Sequence, residues 1–178
     1  MKEQIEFRLA KLEDCDDIAM LHTTNWQTGY RGMVPDDYLD HRVESDRFKV
    51  WRERFGKEDP KMNIVVARDS DQNLAGFVCT FLDFHPKWGA YLDNLHVAPG
   101  YQGLGIGKTL MKKSAEWVKR ERPDSTLYLH VLRENVGAIK FYEKLKGTFI
   151  GEVTLELPWG VEGTVFDYLW QLEDLTSL

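Results

Sequence analysis

Residues 100–109 read GYQGLGIGKT, four glycines followed by a lysine and a threonine. Glycine at that density lets a backbone run close to a ligand and turn its N–H groups onto a phosphate. Three phosphate-binding patterns compete for the segment. A nucleotide P-loop needs a glycine five residues before its Gly-Lys-Thr end. Gln102 stands at that place here, and Gly103 is one residue too close. The dinucleotide fingerprint needs glycines at offsets of two and five. Counted from Gly103 the third position is Lys108, and counted from Gly105 it is Leu110. The third pattern, Gln/Arg-x-x-Gly-x-Gly/Ala, is met by Gln102, Gly105 and Gly107. It sets the N-terminus of a helix, with its open N–H groups and positive dipole end, against a diphosphate without need of a metal. Gln102, Gly103, Leu104, Gly105, Ile106, Gly107 and Lys108 would form that turn. A loop that merely reversed the chain would have little use for so many glycines.

The flanking elements must hold this turn in place. LDNLHV before it reads as a strand, and Ile106, Leu110, Met111, Ser114, Trp117 and Val118 form a helical stripe after it. Upstream, IEFRLA alternates as a first strand, and residues 11–28 read as a helix. Pro35 with two aspartates starts another, and residues 45–55 carry Phe48, Trp51 and Phe55 at helical spacing. That segment, SDRFKVWRERF, reads as a structural amphipathic helix. MNIVVARD and LAGFVCTFLD form a hairpin around SDQN. STLYLHVL is a later strand, residues 135–146 a helix, and TFIGEVTLELP with GTVFDYLWQL close the chain around a Trp-Gly turn. The order β-α-α-β-β-β-α-β-α-β-β predicts a mixed α/β fold, a sheet of about seven strands flanked by about four helices.

With 178 residues and no repeat, linker or low-complexity stretch, residues 1–178 are expected to form a single domain. Hydrophobic residues at 43% and charged residues at 29% fit a globular chain. A net charge of −6 speaks against nucleic acid and anionic membranes and leaves room for an amine substrate. No apolar run is long enough for a membrane span, and the charged N-terminus does not read as a signal peptide. Cys15 and Cys79 make neither a disulfide framework nor a metal cluster, and Cys79 reads as a core residue. A cytoplasmic protein with no metal is expected.

NLHVAPGYQGLGIGKTLM followed by LYLHVLRENVGAIKFYEKLKGTFIGE resembles the acetyl-CoA-binding core of the GNAT superfamily of N-acyltransferases. The resemblance covers residues 62–152, and the elements outside fit the family's order. One departure is visible: the family's FYEKLGF is FYEKLKGTF here, two residues longer, which should alter the helix exit and leave the catalytic face intact. The resemblance implies acetyl-CoA as co-substrate, an amine acceptor and direct transfer in a ternary complex. The same fold without catalysis, as a CoA-binding regulatory domain, is the alternative. A homodimer joined through the sheet would also be compatible.

Such a transfer must deprotonate an amine, stabilise the carbonyl oxygen as it gains charge, and protonate the departing thiolate. Asn135 and Tyr142, seven apart, share a helix face about 10 Å long. Ala138 between them leaves room for a chain to lie alongside. The resemblance puts the pantetheine arm there and makes Tyr142 the acid. Read by itself, Tyr142 could be a core residue and Asn135 a helix cap. The resemblance also assigns the strand backbone at Leu95, His96 and Val97 to the thioester and pantetheine. For the base, His130 stands where related enzymes carry a glutamate, and histidine chemistry suits the task. Asp93 competes as base or amine anchor, and an ordered water needs neither. Alternation places His96 opposite Asp93 and Leu95. Trp26 and Tyr30, four apart, could wall an acceptor pocket rimmed by Asp36 and Asp37, while Trp26 reads equally as core.

Overall fold

The computed structural model describes residues 4–178. Seven strands run Glu6–Leu9 (β1), Met62–Arg68 (β2), Leu74–His85 (β3), Gly89–Val97 (β4), Thr126–Leu132 (β5), Thr148–Glu156 (β6) and Glu162–Gln171 (β7). They form one sheet in the order β1-β2-β3-β4-β5-β7-β6. Every neighbouring pair is antiparallel except β4 and β5. Six helices accompany them: Cys15–Gly29 (α1), Asp36–His41 (α2), Val43–Phe55 (α3), Ile106–Glu121 (α4), Val136–Lys144 (α5) and Leu172–Thr176 (α6).

Strand alternation sorts the core into two layers. On β2, Val65 and Ala67 face the core shared with Leu110, Met111 and Val118 of α4. Ile64 and Val66 face the opposite core, with Ile18 of α1 and Trp51 of α3. A sheet buried on both faces explains why β2 reads as a nearly continuous apolar run. Cys79 is fully buried, as its apolar setting predicts.

Six helices stand where about four were expected. The stretch after Pro35 is a separate short helix, α2, and the chain end turns into α6, whose Leu172 and Leu175 are fully buried. The start read at Pro35 thus holds, and only α6, too short to show a helical period, was not foreseen. The helical stretch read from residue 11 starts with a 3-10 turn, Leu12–Asp14, and becomes α-helical at Cys15, with Asp14 turned inward. Its carboxylate is fully buried and receives Arg8 at 2.7 Å and Arg68 at 2.6 Å. The two extra residues after Leu145 are absorbed in the exit from α5. Lys146 adopts a left-handed φ of 61°, and the Gly147 N–H donates to the Tyr142 carbonyl at 3.0 Å. The helix face carrying Asn135, Ala138 and Tyr142 is left whole.

Candidate active site

Strands β4 and β5 touch only briefly. Ala90 pairs with Leu127 and Tyr91 with Tyr128, and beyond that point the strands diverge. The β4 backbone at 92–97 keeps β3 on one side and has no partner strand on the other. The gap opens a cavity of about 1080 Å³, lined by α1, α3, the glycine turn, β5 and α5.

At one end lies the N-terminus of α4. Gly105, the residue before the helix, has φ 82° and supplies no side-chain cap. The Thr109 N–H donates to the Gly105 carbonyl, so the amides of residues 106–108 have no acceptor within the helix. Gly103 shares the left-handed geometry at φ 78°, and a Cβ on either glycine would meet nothing within 4 Å. That open space is the side from which an anion can reach the amides. Gly107 serves packing instead: a Cβ there would lie 3.2 Å from Phe141 Cζ, so its absence lets α4 approach α5. Gln102, Gly103, Gly105, Ile106, Gly107 and Lys108 all line the cavity. Leu104 does not; its side chain is 61% exposed on the outside of the turn.

Beyond the glycine turn the cavity passes Leu95, Val97 and the α5 face. Asn135 accepts the Ala138 N–H at 3.1 Å, so it does cap α5. Tyr142 lines the cavity while packing edge-on to Trp170 at 5.8 Å. Burial, with the Tyr30 phenol nearby, pushes its hydroxyl well above the ordinary tyrosine range. The group therefore keeps its proton at neutral pH. Tyr30 reaches across from α1, and its hydroxyl interacts with the Asn135 side chain.

His130 also lines the cavity, and its Nδ1 is 2.6 Å from Oδ1 of Asp167, the residue facing it on β7. A carboxylate at that distance holds the proton on Nδ1 and leaves the lone pair on Nε2. Asp93 lies on the other strand, already bound: its Oδ2 receives Arg54 at 2.6 Å, and Arg54 also donates to Asn94 Oδ1 at 2.8 Å. The alternation assumed for β4 is broken here. Cys79 pairs with Asn94 and Thr80 with Leu92, so Asp93 is the extra residue of a bulge. Asp93 and Asn94 both turn toward α3, on the same side as His96. The sequence expectation that set Asp93 opposite His96 is thereby corrected, though Leu95 does face the other way.

His96 packs its ring 4.5 Å from that of His22 and 5.3 Å from Phe77. Burial, followed by the charge of Arg47, lowers it to about 3. Such an imidazole stays neutral and is a poor proton acceptor.

The other end of the cavity holds Trp26 and Tyr30, stacked at 5.2 Å. Trp159, from the turn between β6 and β7, meets Trp26 edge-on at 5.8 Å and closes the aromatic wall. The acidic rim does not form. Asp36 and Asp37 are exposed, Asp36 pairs with Arg31 at 2.9 Å, and neither lines the cavity. The helix read as structural is only partly so: Trp51 is fully buried, yet Arg47 and Arg54 of α3 reach into the cavity. Sequence reasoning missed Arg47, Arg54, Trp159 and Asp167. Arg47 and Arg54 are seven apart, one helix face, which was the available signal.

A mixed seven-stranded sheet that splays between β4 and β5 is the fold of acetyltransferases of the GNAT class. Residues 9–147 match the profile of the Acetyltransferase (GNAT) family. Among curated relatives, an uncharacterised N-acetyltransferase, YuaI of Bacillus subtilis, is 28% identical over 86% of this chain and 86% of its own. Thialysine N-epsilon-acetyltransferase of Mus musculus is 28% identical over 78% and 81%. Among solved structures, spermidine N-acetyltransferase of Vibrio cholerae, in complex with CoA and spermine, superposes with a TM-score of 0.68. It is 20% identical, with 97% of this chain and 98% of that one covered. The chain belongs to the acetyltransferase (GNAT) family. It is an acyl-CoA N-acyltransferase with acetyl-CoA as co-substrate.

Proposed function

We propose that the protein moves the acetyl group of acetyl-CoA onto a primary amine while both substrates are bound. The observation that carries this is the single cavity joining the open amides of α4 to Tyr142 and the His130–Asp167 pair. The diphosphate of the co-substrate lies on the amides of 106–108, and the pantetheine follows the Asn135–Ala138–Tyr142 face. Gln102 and Lys108 flank the phosphates.

The amine enters from the side of Trp26 and Tyr30. His130 Nε2 takes its proton, and Asp167 steadies the imidazolium that results. The nitrogen then bonds to the thioester carbon, and the unpaired β4 backbone around Leu95 to Val97 stabilises the oxygen as it gains charge. When the carbon–sulfur bond breaks, Tyr142 gives its proton to the thiolate, and the second proton lost by the nitrogen restores the phenol. Deprotonating an amine with an ordinary pKa of about 10.4 costs roughly 5 kcal/mol at neutral pH, which such a base helps to offset. Asp93 holds Arg54 and shapes the acceptor end rather than taking the proton.

Relatives point to different acceptors: thialysine in one name, spermidine and spermine in another. The chain is expected to work in the cytoplasm; no helix among the described residues is long and apolar enough to cross a membrane. The test is an amine library incubated with acetyl-CoA, following free thiol and the mass of the acetylated product. Amine-dependent thiol release with a matching product supports the proposal. Acetyl-CoA bound but never consumed, whatever the amine, would refute it.

A further inference from the structure

Arg47 lacks a counter-ion. Its side chain leaves α3, lies over the Trp26 ring at 4.8 Å, and lines the cavity while only 8% exposed. Among the described residues no carboxylate pairs with it, and its Nε has no hydrogen-bond partner. Arg54, on the same helix face, differs, since Asp93 and Asn94 hold it. Glu156, the other carboxylate lining the cavity, is exposed and bound to neither arginine. A buried guanidinium without an anion is unfavourable unless something else supplies the charge.

The atoms around Arg47 share the deficit. The other buried nitrogens without a partner are His22 Nε2 and Trp26 Nε1, while the Tyr38 hydroxyl lies beside both Arg47 and Asp46. They sit together, with the Trp26 ring 5.2 Å from His22 and 6.4 Å from Tyr38. Trp26 Nε1 can only donate. Trp51 Nε1 donates to His22 Nδ1 at 3.1 Å, and burial keeps that imidazole neutral, so His22 Nε2 carries its proton. Trp26 Nε1 and Arg47 Nε, both on residues lining the slot, are donors without an acceptor, and His22 Nε2 behind them is a third.

We infer that the acceptor is an amino-carboxylate, whose amine receives the acetyl group and whose carboxylate seats on Arg47. The planar fork of a guanidinium matches two carboxylate oxygens. A polyamine, cationic along its length, meets instead an unpaired positive charge in a poorly solvated place. The inference rests on the acetyl-transfer reading above and names the substrate class of that same site.

The test compares amino acids with their methyl esters and decarboxylated amines, molecules with the same amine and with or without the carboxylate. For the unaltered protein, kcat/KM should favour the acids by roughly 30-fold or more. Arg47→Gln should erase that preference by raising KM for the acids alone, and Arg47→Lys should restore part of it. Esters and amines used as well as the acids would overturn the inference, as would an Arg47→Gln loss shared equally by all three. If the variants do not fold, the acid-to-ester ratio of the unaltered protein decides alone. If nothing is acetylated although acetyl-CoA binds, the transferase reading fails. Calorimetry of the same acids against the CoA-loaded protein then still decides this inference: binding lost on esterification supports it, and binding indifferent to the carboxylate overturns it.

Discussion

Nδ1 of His130 on β5 lies 2.6 Å from Oδ1 of Asp167, its cross-strand partner on β7. The pair fixes which ring nitrogen can accept a proton. His130→Ala should lower kcat about 100-fold or more and flatten the acidic limb of the pH–rate profile. Asp167→Asn should slow the enzyme less and still bind acetyl-CoA, because it misplaces a proton rather than removing the base. Steady-state kinetics across pH reads both, and an acidic limb unchanged in His130→Ala would return the role to Asp93 or a water.

Tyr142 holds its proton because it is buried and Tyr30 lies nearby, both of which raise its pKa. Tyr142→Phe should cut kcat on the order of 100-fold while acetyl-CoA affinity barely moves. The split is visible when single turnovers are compared with equilibrium binding. Since the phenol titrates above its ordinary range, Tyr142 should impose no alkaline fall in rate below about pH 10. Equal turnover in the variant would remove the acid role.

Arg54 and Asp93 form a partly buried pair, their side chains 21% and 24% exposed. Asp93→Asn leaves Arg54 without its charge partner and should destabilise the fold by about 1–2 kcal/mol, below the cost of breaking a fully buried pair. Urea denaturation measures this. The acidic limb of the rate profile should survive the change, and its loss would make Asp93 the base.

Asp14, with Arg8 and Arg68, anchors the start of α1. Burial alone would raise its pKa, but hydrogen bonds from Arg8, the Lys11 amide and Arg68 outweigh that and bring it to about 2. Because the folded value lies below the unfolded one, the stabilisation is full above the ordinary carboxylate pKa of about 3.9 and disappears as pH falls through about 2. The linked contribution is about 2 kcal/mol. Asp14→Asn should lose at least that at neutral pH, with the difference from the unaltered protein shrinking in acid. A difference independent of pH would show that the ion pairs do not carry it.

The turn and the α5 face were legible in the sequence, since their information is local: Gln102, Gly105 and Gly107 define the one, and Asn135 and Tyr142 share the other. The opposite end of the cavity was not. Trp159 and Asp167 reach the site through strand pairing between distant segments, which no local spacing reveals. Arg47 and Arg54 were hidden on a helix whose apolar residues, Phe48, Trp51 and Phe55, gave it a sufficient structural reason to exist. Asp93 was set on the wrong face because a single bulged residue reverses strand alternation and leaves no mark in the composition. Likewise Asp36 and Asp37 looked like a cation rim until Asp36 found Arg31.

The central claim is that the amide end of α4 receives the diphosphate of acetyl-CoA, and calorimetric titration with Gly105→Glu tests it most directly. Gly105 is exposed, nothing lies within 4 Å of the Cβ that would be added, and its φ of 82° strains any side chain by about 1 kcal/mol. The variant should therefore keep its fold, as circular dichroism can verify, while a carboxylate now faces the phosphates. The account predicts metal-independent acetyl-CoA binding by the unaltered protein and a loss of about 100-fold or more in the variant. Undiminished affinity in a folded Gly105→Glu protein would contradict it.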